Sequence, residues 1–202
     1  MTDFSLEEEH TGTVCGLDEV GRGPLAGPVV AACVVIPKGK RTLDFIADIQ
    51  DSKKLSLKKR EHLYQKITEH FPYAISEISP KEIDEINILQ ASLQAMKTAF
   101  NEIQDIDHAL VDGNKAPDLS CPTTTVIKGD AKSKTIAAAS IIAKVHRDRV
   151  MQNLANRHPH YGWANNSGYP TKQHREALIE YGITEHHRKT FAPVRKIIES
   201  QQ

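Results

Sequence analysis

Apolar positions along the chain fall into two kinds of run. Short β-branched stretches at Thr13 to Val20, Val29 to Ile36, Tyr73 to Ile78, His108 to Val111 and Thr123 to Ile127 are bounded by Gly, Pro, Asp or Asn, and each predicts a strand. The first two are joined by Gly21-Arg22-Gly23-Pro24-Leu25-Ala26-Gly27-Pro28, a punctuated connection that predicts neighbouring strands. Helical signals fill the spaces between. Ser56 is placed to cap a helix running to about Phe71. Ser79-Pro80-Lys81-Glu82 sets a cap, a first-turn proline and a capping-box carboxylate in register. Beyond Asn87, the residues Leu89, Leu93, Met96, Phe100 and Ile103 recur at steps of four and three, predicting the buried face of a second helix. Lys134 to Asn156 predicts a long helix whose Ala137-Ala138-Ala139-Ser140 segment is small enough to lie close against a sheet. Thr171 to Tyr181, stopped by Gly182, and Ala192 to Ser200 complete the set.

Alternating strands and helices with no repeat or linker predict one α/β unit over residues 1–202, with a core over about 13–155 and a helical C-terminal extension over about 156–202. At 202 residues the chain is long enough to bury a core without disulfides. No apolar run is long enough to span a bilayer, and the acidic Glu7-Glu8-Glu9 start is unlike a secretory signal, so the expected location is the cytoplasm. Cys15, Cys33 and Cys121 lack metal-ligand spacing and read as free thiols. The net charge of zero conceals an asymmetry. Residues 1–127 hold 13 basic and 20 acidic residues, while residues 128–202 hold 13 and 6, so the later part is basic. That asymmetry hints at a polyanionic partner without establishing one.

Asp18-Glu19 interrupts the apolar strand Cys15 to Val20. Adjacent strand residues point to opposite faces, so at least one of these carboxylates must face inward. An inward carboxylate is tolerated when it is paired with a cation or binds a metal. Asp112 and Asp130 each follow a predicted strand, and in an open α/β sheet such strand ends gather at one edge. Four oxygen-donor residues without Cys or His suit Mg²⁺ or Mn²⁺, and two such ions support phosphodiester cleavage. A turn role competes at Asp112, since Asp112-Gly113 is ordinary turn chemistry.

Taken in order, the segment Gly16 to Val29, then Asp51-Ser52-Lys53-Lys54-Leu55, Val111-Asp112-Gly113, Lys128-Gly129-Asp130, Ala138 to Asp148 and Gly168-Tyr169-Pro170-Thr171 resemble the ribonuclease HII family over about residues 13–195. The resemblance implies a ribonuclease H-like fold with a central mixed sheet flanked by helices. It also implies that Asp18, Glu19, Asp112 and Asp130 are the catalytic, metal-binding carboxylates, served by two divalent ions, Mn²⁺ or Mg²⁺. Its implied activity is cleavage of the RNA strand of RNA/DNA hybrids and incision 5′ to ribonucleotides embedded in duplex DNA, leaving 5′-phosphate and 3′-hydroxyl ends, as in ribonucleotide excision repair. Gly21-Arg22-Gly23 would read the 2′-hydroxyl through its backbone, and Tyr169 would stack on the neighbouring sugar.

Each of these motifs has a plainer reading beside it. The Gly-rich segment is also a hairpin turn, and Tyr169 is also a half-buried ring. Lys53, Lys54, Lys128, Lys144 and Arg147 are placed to contact phosphates, whereas Lys132 and Lys134 read equally as solvated surface. Asp148 reads as a helix salt-bridge partner, and His174 as first-turn helix chemistry. His158, His160, His186 and His187 do not have the spacing of a closed zinc site. The expected state is a monomer with no obligate protein partner. Two rivals stand beside the nuclease reading: a DNA nuclease of the same fold, and a nucleic-acid-binding module without catalysis.

Overall fold

The computed structural model describes residues 2–200. A short helix α1 (Ser5–Glu8) precedes β1 (Val14–Val20) and β2 (Val29–Val35), which are followed by α2 (Leu57–His70), β3 (Tyr73–Ile78) and α3 (Pro80–Asn101). Next come β4 (His108–Asp112), β5 (Thr123–Val126), the long helix α4 (Lys134–Arg157), a single turn α5 (Trp163–Asn166), α6 (Lys172–Tyr181) and α7 (Ala192–Ser200). The strands form one mixed sheet in the order β3-β2-β1-β4-β5. β1 runs antiparallel to β2 and parallel to β4, and β5 runs parallel to β4.

The predicted caps form. Ser56 Oγ accepts from Lys59 N, and Ser79 with Glu82 closes a capping box. Asn87 breaks α3 at φ 66, and its Oδ1 accepts from Leu89 N and Gln90 N, restarting the helix. The stripe beyond it needs one correction. Ala91, Ala95, Met96, Ala99 and Phe100 are buried against the sheet, while Leu89 and Leu93 are only partly buried and line a surface groove. Small alanines let the α3 backbone approach β2, rotating the apolar face away from the two leucines.

Helices cover both faces of the sheet. β2 is buried along its whole length: Val30, Ala32 and Val34 pack with α2 and α4, and Val29, Ala31, Cys33 and Val35 with α3. Such double burial explains its uninterrupted apolar sequence. A third cluster joins Leu25 and Ala26 to Met151, Trp163, Leu178 and Val194, seating α5, α6 and α7 against the β1–β2 connection and the end of α4. At the crossing of α4 and β1, a Cβ on Gly16 would lie 2.3 Å from the Thr135 carbonyl carbon, so only glycine permits this approach. Glu7 of α1, fully buried, accepts from Ser133 Oγ and Thr135 N at the start of α4. No helix among the described residues is long and apolar enough to cross a membrane.

Candidate active site

The parallel pairing of β1 and β4 brings two carboxylates side by side. Their paired residues end at Leu17 and Val111, and the next residues along each strand are Asp18 and Asp112. β5 continues the same edge into the turn Gly129–Ala131, which carries Asp130. Asp112 Oδ1 accepts from Gly129 N at 2.6 Å, tying the ends of β4 and β5 together. Asp18 shares a face with Gly16, toward α4. Glu19 takes the opposite face and lines a groove with Arg22, Leu89, Leu93, Asp112, Asn114 and Lys115.

The electrostatics of this edge are unfavourable to the chain alone. Burial pushes the Asp18 carboxyl well above its ordinary value, and the neighbouring Glu19, Asp112 and Asp130 push it further, opposed by the nearby Ser140 hydroxyl. Glu19 is raised by burial and by Asp112, against the nearby Arg22, whose Nη1 donates to Glu19 Oε1 at 3.3 Å. Asp130 is raised by burial, Asp51 and Asp112, while Lys53 pulls it down. Glu19 Oε2 is buried without a hydrogen-bond partner.

Among the described residues no three His, Cys, Asp or Glu side chains close into a finished metal cage. The carboxylates nonetheless fit hard divalent cations. They are oxygen donors, they repel one another, and one buried oxygen is unpartnered; a cation would reverse each of these penalties.

Beside the carboxylates lies the Gly21-Arg22-Gly23 segment. Gly21 has φ +94, and a Cβ there would lie 2.2 Å from Arg147 Nε. The Tyr169 ring leans over this segment, its Cε1 3.3 Å from where a Gly23 Cβ would be. Tyr169 is 47% exposed, so its ring is not core. Leu25 N donates to Gly168 O at 2.8 Å, joining the two segments directly.

The basic residues divide. Lys53, Lys54 and Lys128 are exposed, and the influence of Lys53 on Asp130 places it at the site's rim. Lys144 is partly buried and pairs with Asp148, the helix partner expected for that aspartate. Arg147 is a correction: it is 1% exposed, and its guanidinium donates to Pro28 O, Ser167 O and Ala26 O at 2.9, 3.0 and 3.1 Å. It follows Ala143 and precedes Met151 at helical spacing on the buried face of α4, so it cannot reach a phosphate as it stands. Lys134 is likewise internal, its ammonium donating to Ile46 O, Ala47 O and Ile49 O.

Of the histidines, His174 and His187 join Trp163 in a hydrogen-bonded network. Trp163 Nε1 donates to His174 Nε2 at 3.1 Å, and His174 Nε2 also lies 3.1 Å from His187 Nε2. His174 Nδ1 faces the Tyr169 carbonyl at 3.0 Å, and Thr184 N donates to His187 Nδ1 at 2.9 Å. Those partners assign the tautomers: His174 carries its proton on Nδ1, and His187 on Nε2. Both rings are buried, so His174 does more than first-turn chemistry: it also fixes the main chain of Tyr169.

The motif reading missed two side chains. Ser140 Oγ bonds Ser52 Oγ at 2.9 Å, linking the Asp51-Ser52-Lys53 segment to α4 beside Asp18. Arg188, fully buried beneath Gly21 and Gly27, lies in the polar run His186 to Thr190, where no periodicity marks a buried position.

Comparison with known proteins accords with this geometry. The family model described as Ribonuclease HII matches residues 15–194. The chain is 49% identical to ribonuclease HII of Paramagnetospirillum magneticum, over 96% of this chain and 97% of the relative. It is 48% identical to that of Wolbachia pipientis wMel, over 97% and 98%. The crystal structure of ribonuclease H2 from Pyrococcus horikoshii superposes with a TM-score of 0.80 at 31% identity, covering 93% of this chain and 98% of that one. With the family model matching residues 15–194 and near-full-length relatives at about half identity, the chain belongs to the ribonuclease HII family and is a metal-dependent ribonuclease H endonuclease.

Proposed function

We propose that the protein cuts the RNA strand of RNA/DNA hybrids and incises duplex DNA 5′ to an embedded ribonucleotide, leaving 3′-hydroxyl and 5′-phosphate ends. The observation that carries this reading is the convergence of Asp18, Glu19, Asp112 and Asp130 at one sheet edge, directly beside the Gly21-Arg22-Gly23 segment, which is exposed at Arg22 and Gly23 and overlaid by Tyr169. Bound among the four carboxylates, two divalent ions, Mg²⁺ or Mn²⁺, would supply an activated water and neutralise charge on the departing 3′-oxygen.

The chain's own residues do the rest. Gly129 N holds Asp112 in place, Glu19 N holds Asp18, and Arg22 restrains Glu19, so these carboxylates are oriented before substrate arrives. Gly21-Arg22-Gly23 presents main chain to the 2′-hydroxyl, because no side chain at Gly23 stands between ribose and backbone. Tyr169 offers an exposed ring to the next sugar, favouring a deoxyribose there. Lys53, Lys54 and Lys128 contribute phosphate contacts that add affinity without sequence preference. Residues 1–202 act as one catalytic unit, a core over about 13–155 with a helical extension over about 156–202, working as a monomer without an obligate protein partner.

The test is a DNA duplex with a single ribonucleotide in one labelled strand. Cutting on the 5′ side of that nucleotide, with a ligatable 5′-phosphate, is expected. Cutting of an all-DNA duplex at a similar rate would instead favour a DNA nuclease of the same fold.

A further inference from the structure

Arg188 is buried, and it uses four of its N–H groups on main-chain carbonyls. Its Nε donates to Gly27 O at 3.1 Å, Nη1 to Arg22 O at 2.9 Å, and Nη2 to Gly21 O at 2.6 Å and Gly27 O at 2.9 Å. A guanidinium has five such donors in a rigid planar fork, so this one is nearly saturated by a single loop. Its own backbone joins in, Arg188 N donating to Leu25 O at 2.8 Å. Asp84 anchors the next turn by accepting from Lys189 N and Thr190 N. Burying a charge is costly unless it is hydrogen-bonded, and the loop's carbonyls supply those bonds.

The peptide plane shows what this grip accomplishes. In a trans peptide the carbonyl and the following N–H point in opposite directions. Because Gly21 O and Arg22 O are drawn inward to Arg188, the N–H groups of Arg22 and Gly23 point outward, where both residues are exposed. Among the described residues neither N–H has an acceptor. Two adjacent free amides, exposed at Arg22 and Gly23, are suited to an oxygen acceptor.

We propose that Arg188 is a positioning residue for ribose selection: gripping the carbonyls of Gly21 and Arg22, it aims the amides of Arg22 and Gly23 at the substrate's 2′-oxygen. The proposal rests on the reading of Gly21-Arg22-Gly23 as the segment that meets the ribose. Lysine at 188 would keep the charge, but a point donor cannot span the carbonyls of Gly21, Arg22 and Gly27 together.

The experiment compares wild type, Arg188→Lys and Arg188→Ala on duplexes carrying either one ribonucleotide or its 2′-fluoro analogue, with Ile67→Val as a destabilised core control far from the loop. For Arg188→Lys, kcat on the ribonucleotide is expected to fall about tenfold to a hundredfold with KM within about threefold, because the phosphate contacts remain. The ribonucleotide-to-fluoro rate ratio is expected to fall with it, while Ile67→Val lowers Tm and keeps the wild-type ratio. A lowered Tm with unchanged kcat and ratio in Arg188→Lys would overturn the proposal, leaving Arg188 a fold brace only. A wild type that does not distinguish the two substrates would overturn the loop reading itself, before any substitution is made. Amide hydrogen exchange on the wild type needs no folded variant. Slow, concerted exchange of the hydrogen-bonded Leu25, Gly27 and Arg188 amides is expected beside fast exchange of the free Arg22 and Gly23 amides; rapid exchange of Leu25 and Gly27 in the folded protein would contradict the grip.

Discussion

At the scale of single residues, the carboxylate edge stores repulsion that a bound cation relieves. Asp18 has a folded-state pKa raised above its unfolded value, so the folded chain holds the proton more tightly. In metal-free protein, stability therefore declines as pH rises from the unfolded value of about 4 through the raised folded value. Asp18→Asn is expected to remove this contribution and to keep or raise the Tm of metal-free protein at pH 7. The same substitution should lower kcat by about a hundredfold or more, since an orienting carboxylate is lost. Melting curves against pH, with and without Mg²⁺, check the first part; a metal-free Tm that drops on substitution would contradict it.

His187 gives the opposite sign. Burial and His174 hold its pKa down at about 3, against an ordinary 6.5, so the folded protein keeps it neutral. Its contribution is present above about 6.5 and lost as pH falls toward about 3. His187→Gln should flatten the dependence of Tm on pH across that window, measured by calorimetry. The meeting of the four carboxylates at one sheet edge was legible because Asp18-Glu19 interrupts an apolar strand and Asp112 and Asp130 each follow one, whereas the burial of His187 and Arg188 was not: a polar loop carries no period, and only tertiary packing turns it inward.

At the scale of elements, α4 and β1 are positioned by what is missing and by what is buried. Gly16 allows the helix backbone to touch the strand, and Asp18 follows it on the same face. Gly16→Ala is expected to cost about 1–3 kcal/mol through backbone displacement and to lower kcat as Asp18 shifts with its strand. Denaturant melts beside cleavage rates check this, and unchanged values for both would contradict the packing argument. Glu7→Gln should cost about 1–3 kcal/mol by weakening the acceptor for Thr135 N and Ser133 Oγ, with far less effect on kcat in the folded fraction. Elements with local start signals, α2 and the first half of α3, were readable from Ser56 and Ser79, and the second half of α3 from the apolar period beyond Asn87. The facing of α3 was not. Its alanines, not the leucine stripe, decide how close the helix lies, and that depends on β2 beneath it.

At the scale of the whole molecule, the fold brings chain-distant carboxylates, Asp18, Glu19, Asp112 and Asp130, to one sheet edge beside the Gly21-Arg22-Gly23 segment under the Tyr169 ring. The phosphate contacts proposed for the exposed lysines would make binding sensitive to salt. Lys53→Ala is expected to weaken hybrid binding at low salt and to reduce the slope of log affinity against log salt by about one. An unchanged slope would remove Lys53 from the phosphate track. Charge asymmetry along the sequence hinted at such a partner but could not place it, because Arg147 and Arg188 count toward the basic part while lying inside the molecule.

The most direct measurement is single-turnover cleavage of a duplex with one embedded ribonucleotide, in Mg²⁺, in Mn²⁺ and in chelator, for wild type, Asp18→Asn and Asp130→Asn. The predicted result is incision 5′ to the ribonucleotide by wild type with either ion, none in chelator, and rates at least about a hundredfold lower in both variants. Cleavage that persists in chelator, or folded variants that cut at the wild-type rate, would contradict a reaction run by metal ions on these carboxylates.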